Sequence, residues 1–390
     1  MGLDLVDSLG HVIAGIPGAP SRPQQLAKQL TLNKDLASRL VRALRTSDPV
    51  QALQVMPGPG PLRRVLSSAS GAGVPSQVID RAATAVAAFD DLIRSEFGAR
   101  ADFDAAISFA HPEARERHES TAKQAAYRGA AGIRGVSVDL MLVTFFVHPS
   151  RDDAERLDTA VVNSYLGLRR TRPGAHFEFA TYLFDLPLYG QDALPRHEAE
   201  ELGRSSILRR FCSPQDPPLT VSRDGDKIRY VLTDTGIGQS SAIDIVTHEL
   251  YPKNHPRAYR EGIKPTRWFF ATADQPAVVM VFDVFMHRDA WPGIDPSLVI
   301  YDTVVKGVAD PTDRTRDGDR LDLCEGIEPL GNTAYAARLP EAPKYRDMLE
   351  HVCGLHGWDP RAFRGYRTRI NYPFHGSQIS MIFNPFGVLE

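Results

Sequence analysis

The chain has 390 residues, 43% of them hydrophobic and 24% charged, with a formal net charge of −3. That length suggests two or three domains and a core large enough to need no disulfide staple, and the ordinary composition excludes global disorder. The near-neutral charge excludes a protein held on nucleic acid by bulk charge, so any DNA contact has to come from a local basic patch.

In chain order, Leu3, Val6, Leu9, Val12 and Ile13 recur at helical spacing and predict a first helix. Pro17, Gly18 and Pro20 break it. Ser21 predicts an N-cap, with Pro23 in the first turn and Gln24 at the capping-box position, for a helix reaching about Leu30. A second helix is expected from Asn33 to Arg45, with Pro49 marking its exit. The Pro/Gly alternation at 57–61 predicts a rigid, helix-free turn, residues 62–68 one short helix, and Gly71 and Gly73 a further break. A long Ala-rich helix is expected over 75–97, with Val78, Ile79, Ala82, Val86, Phe89 and Ile93 along one stripe.

Beyond about residue 100 the texture changes. The pattern predicts a charged helix over 112–128 and a buried strand over 136–148. It also predicts an amphipathic helix over 152–170 through Ala154, Leu157, Val161 and Tyr165, then a strand over 176–183. Further strands are expected at 227–232, 267–271, 277–287 and 298–305, with a strand-like, aromatic segment over 369–386. Residues 213–218 and 309–320 read as loops. The expectation is an α+β protein. An all-helical head (1–70) and a long connecting helix (71–100) precede a larger mixed α/β domain (101–390) with mainly antiparallel strands. That domain is read as two lobes meeting near 212–226. Residues 139–148 and 278–287 echo one another, each placing Met and His at the same offset. A duplicated lobe and two core strands of similar composition both account for this.

Residues 25–44 carry the sharpest signal. Leu26 and Leu30 mark the inner face of one helix, and Leu36, Leu40 and Leu44 mark that of the next. Small Ala27 and Ala37 permit close approach, Leu32 plugs the corner, and Asn33 can cap the second helix. These residues resemble the helix-turn-helix of bacterial transcription regulators. The glycine usual in that turn is replaced by Thr31, and no β-hairpin wing follows. From residue 21 to 46 there are six bases (Arg22, Lys28, Lys34, Arg39, Arg42, Arg45) against one acid, Asp35. The resemblance implies that the second helix enters the major groove. Lys34, Ser38 and Arg39 would then face base edges, and Arg22, Arg42 and Arg45 would hold phosphates, with Asn33 at the helix start. It implies a sequence-specific regulator of double-stranded DNA, a homodimer, with the 75–97 helix as a candidate dimer element and a small-molecule effector sensed by the second domain.

Other motifs are weaker. Asp234–Gly238 resembles the glycine box of histidine-kinase ATP sites, and 247–250 their phosphoacceptor box, but in the wrong order. An Asp-Thr-Gly run is ordinarily a turn. His248, Glu249 and His255 miss the metallopeptidase spacing, because Pro252 stands where the second histidine is needed, and they read as loop surface histidines. Asp313, Asp317, Asp319, Asp322 and Glu325 do not fit a calcium loop and read as a solvated charged segment. Cys212, Cys324 and Cys353 are odd in number and widely spaced, which suits a reducing, cytoplasmic setting, with Cys212 read as a buried thiol. Acids stand at the chain start where a secretory leader has bases, and the longest apolar run, 140–147, is too short to span a bilayer. Residues 371–378 and 383–386, with Trp268, Phe269 and Phe270, are candidates to line a small-molecule pocket. The sequence asks for no cofactor and no metal, and names no catalytic residue. Two rival expectations remain. One is an enzyme with its site around His248, His255 or His375; the other is an assembly protein whose head binds a protein partner.

Overall fold

A computed structural model of the chain describes residues 2–18, 20, 22–108, 112–182, 196–224, 227–233, 236–257 and 267–384. The expected positions Ser21, Leu183, Asp234, Thr235 and Phe386 lie outside the described residues. The chain divides into two compact units, Met1–Thr121 and Ala122–Glu390. The protein is α+β: its N-terminal part is helical, and its strands form three mostly antiparallel sheets. Among the described residues no helix is long and apolar enough to cross a membrane.

The described part of the first unit contains α1 (Gly2–Ala14), α2 (Pro23–Gln29), α3 (Lys34–Arg45), α4 (Pro49–Val55), α5 (Pro59–Gly71), α6 (Ser76–Leu92) and α7 (Arg100–Ser108). The boundary at Thr121 falls inside α8 (Pro112–Arg134). Leu5, Leu9 and Val12 of α1 are buried, and α1 packs on α3, α4, α5 and α6. The stripe of α6 is spent in this same core: Ala82, Val86 and Phe89 are buried. Phe89 meets Phe103 edge-on at 5.6 Å. The helix read as a connector therefore packs within the first unit, and its last turn, Ile93–Phe97, widens to a π-helix.

Two proline readings are corrected. Pro49 opens α4 rather than marking an exit: Asp48 caps that helix by accepting from the Val50 and Gln51 amides at 2.7 and 3.1 Å. Pro59 opens α5, so helix begins inside the stretch expected to be helix-free. Proline lacks the N–H that the first helical position leaves unbonded anyway, so both residues act as starts. Arg22, not a serine, occupies the N-cap of α2, with no side-chain cap bond.

The second unit is built on a six-stranded sheet, order β10-β11-β8-β1-β2-β6. In chain order the strands are β1 (Val136–Pro149), β2 (Arg156–Arg170), β3 (Glu178–Tyr182), β4 (Leu219–Asp224), β5 (Lys227–Leu232), β6 (Ile243–Pro256), β7 (Arg267–Thr272), β8 (Ala277–His287), β9 (Ser297–Asp302), β10 (Glu328–Gly331), β11 (Phe363–Asn371) and β12 (Ser377–Phe383). Helices α9 (Arg196–Ser205) and α10 (Tyr345–His356) complete the unit. Two three-stranded sheets, β7-β12-β9 and β3-β5-β4, accompany the large one.

The amphipathic helix expected over 152–170 is the strand β2. Its apolar residues satisfy a four-residue spacing, yet both faces are buried, with Val161 and Tyr165 on one and Ala160, Val162 and Leu168 on the other. A strand buried on both sides loses the alternation that would separate it from a helix. The echo between 139–148 and 278–287 resolves into β1 and β8, adjacent and parallel with Met141 opposite Met280 and Val147 opposite Met286. They are two core strands of one sheet, and the sheet register repeats the sequence offset. Residues 212–224 run inside the second unit, Ser213 bridging to Asp244 and β4 pairing β5.

Candidate functional site

The α2–α3 pair closes through Thr31, whose φ of 54° is left-handed. A β-branched residue occupies that region at a cost, and the backbone makes the turn regardless. The Leu32 amide donates to the Ala27 carbonyl at 2.8 Å. The Asn33 side chain accepts from the Asp35 amide at 2.8 Å, capping α3. Ala27 and Ala37 are both buried, together with Leu26, Leu30 and Leu40, while Leu32, Leu36 and Leu44 pack at the margin.

The other side of α3 is polar. At 100° per residue, Lys34, Ser38, Arg42 and Arg45 lie within about 80° of arc, and all four are exposed. Asp35 lies on the same exposed face in the first turn, where an acid complements the helix dipole. Arg22, also exposed, stands at the start of α2. Asn33 is exposed as well, with its carbonyl oxygen committed to the cap.

Arg39 is placed differently. It sits at the edge of the ridge, and its guanidinium donates to the Val55 and Met56 carbonyls at 3.4 and 3.3 Å. Arg100 donates to the neighbouring Leu53 and Gln54 carbonyls at 3.0 and 3.4 Å, with its Nε on Asp104. Two arginines thus serve the last carbonyls of the short helix α4, which the helix itself cannot satisfy. Arg39 is exposed as well, and these bonds tie the motif to α4.

A groove of about 520 Å³ flanks the ridge between α3 and α5. Asn33, Asp35 and Arg39 line one side; Arg64, exposed on α5, lines the other. Arg64 is a cation beside the motif that the sequence reading passed over, because a lone arginine in a segment read as one short helix carries no signal of its proximity to α3.

The remaining candidates do not converge. His248 and Glu249 are on β6, not on a surface loop, and as strand neighbours they point to opposite faces. His248 Nε2 meets His356 Nε2 of α10 at 3.0 Å. Burial, with His356 and His351 alongside, holds the His248 imidazole down to about 4. His255 is also on β6, packed against Phe269, and His375 accepts from Arg134 at 2.8 Å. Among the described residues no three histidine, cysteine or carboxylate side chains gather as a metal set. The charged stretch near 313–320 is not simply solvated: Arg316 is buried, bonded to Asp319 at 2.6 Å and to the Gly307 and Val308 carbonyls. Cys212 is buried. Trp268, Phe269 and Phe270 do line a cavity of about 360 Å³; residues 371–378 do not.

No family model matches the chain, and no curated protein sequence matches it.

Proposed function

We propose that the first unit is a DNA-binding head and that the protein is a sequence-specific regulator of double-stranded DNA. The observation that supports this most is the single exposed ridge of Lys34, Ser38, Arg42 and Arg45 on a helix whose opposite face is buried against its helix-turn-helix partner. A helix presented in this way fits the major groove, with its N-terminal half at base edges and its basic C-terminal half at the backbone. Lys34 and Ser38 are the readers, and Arg42, Arg45, Arg22 and Arg64 the phosphate contacts; Arg39 positions the helix. A homodimer on a palindromic site would use a surface other than the apolar stripe of α6, which is buried in the head.

Selection of bound duplexes from a random pool, followed by anisotropy titration, tests the reading. Lys34→Ala and Ser38→Ala should relax base preference, each lost base contact costing about 1–3 kcal/mol on the selected site. Arg42→Ala should weaken all duplexes alike. If the intact protein enriches no sequence and binds no duplex at low salt, the proposal fails.

A further inference from the structure

The second unit contains a cavity of about 360 Å³ that the DNA-binding reading does not use. It lies over one face of the large sheet. Val143 of β1 pairs with Asn163 of β2, Phe145 with Val161, and Thr159 with Tyr251 of β6, so these side chains share that face. Phe269 of β7 closes the opposite wall, 5.3 Å from Phe145 ring to ring. The volume is in the range of small-ligand sites, and the wall is rich in aromatic rings with a few polar groups at fixed places.

The charged groups set the chemistry. Asp274 lines the cavity; its Oδ2 accepts from the Tyr165 hydroxyl at 2.8 Å, and its buried Oδ1 has no hydrogen-bond partner among the described residues. Glu249, opposite Val161 on the same face but outside the lining, is reached by Asn163 at 3.4 Å through Oε2. No lysine or arginine is among the described lining residues. Arg134, the cation nearest in effect to Asp274, is engaged with His375 and Gln275. Buried acceptors left without donors are costly, and a donor arriving with a ligand relieves that cost. Aromatic faces around a carboxylate attract a cation through the ring quadrupole as well as through charge.

We propose that this cavity binds a small organic ammonium ion, its apolar body against Phe145 and Phe269 and its cationic head between the aromatic rings and the Asp274 carboxylate. Burial pushes the Asp274 carboxyl up to about 6, with Tyr165 and Arg134 opposing, so it is ionised at neutral pH. Burial pushes Glu249 up to about 8, which keeps it protonated there. Burial, reinforced by the positive charges of Arg267 and Arg156, holds His255 down to about 3, so it adds no positive charge.

Calorimetry on the full chain without DNA tests the proposal with three probes that share one ring system: tryptamine, tryptophol and indole-3-acetate. Tryptamine should bind at least tenfold more tightly than tryptophol, and indole-3-acetate most weakly. The tryptamine preference should fall roughly tenfold between pH 7.5 and pH 5 as Asp274 protonates. Asp274→Asn should erase it while tryptophol binding persists. The pH series uses the unaltered chain, so it decides the matter even if the variant does not fold. The proposal is overturned if no tryptamine binding is detected, if the neutral or anionic probe binds as well, or if the preference is flat with pH. Because no DNA is present, this outcome is independent of the fate of the DNA-binding reading.

Discussion

At the residue scale the turn of the motif makes the sharpest demand. Thr31 holds a left-handed conformation that costs a residue with a Cβ roughly 1–2 kcal/mol. Thr31→Gly should therefore raise the melting temperature of the head, with a net gain of about 1 kcal/mol after glycine's extra freedom in the unfolded chain is subtracted. An unchanged or lower melting temperature would show that the turn is not strained there. Asn33→Ala should act oppositely, removing the α3 cap at a cost of about 1 kcal/mol. Asn33 was legible in the sequence because an N-cap is a local device. Arg39 was not: its partners Val55 and Met56 are more than a dozen residues away, and nothing in a list of exposed bases reveals a carbonyl acceptor.

At the element scale the helices α1, α3 and α6 and the apolar strands β1 and β8 were readable, while the helices α4, α7 and α10 and the strands β2 and β6 were not. The bounds of α3, β5 and β8 follow from local pattern: α3 carries an apolar stripe and a cap, β5 alternates, and β8 is an almost unbroken apolar run. The strands β2 and β6 were missed for opposite reasons. β2 has apolar residues on every side, so helical spacing is present by chance; β6 carries His248, Glu249, Tyr251 and two prolines, which read as loop. A buried ion pair elsewhere in the same sheet was also invisible. Arg367 of β11 makes a two-bond contact with Asp283 of β8 at 2.8 and 2.7 Å, and the Tyr345 hydroxyl of α10 donates to the same carboxylate at 2.6 Å. Arg367→Met should leave a buried carboxylate without its cation and destabilise the second unit by about 3–5 kcal/mol. Denaturant melting of that unit measures it, and a loss below 1 kcal/mol would show that Asp283 is neutral without help.

For the whole molecule, pH links several buried groups in the second unit. His148, His248, His287 and His356 are all held below the ordinary histidine value, chiefly by burial, with His248 and His287 at about 4. His148 and His287 lie 4.6 Å apart ring to ring, and His148 stacks on Trp358. Unfolding lets these imidazoles take up protons, so their contribution is present above about pH 6.5 and is lost as the pH falls towards 4. Glu249, raised to about 8, has the reverse sign: its contribution is lost as the pH climbs from the ordinary carboxyl range through 8. Melting curves across pH 4.5–9 should show a maximum between these limits, and His248→Gln should flatten the acid side. A melting temperature that does not fall below pH 6 would contradict these burial effects.

The DNA-binding role of the exposed ridge on α3 is tested most directly by salt. Binding held by Lys and Arg on phosphates releases counterions, so log affinity should fall linearly with log salt, with a slope of about −0.9 per phosphate contact. Titration of the intact protein onto its selected duplex should give a slope steeper than −2, and Arg42→Ala should make it shallower by about 1. A slope near zero, or one that Arg42→Ala leaves unchanged, would contradict that role.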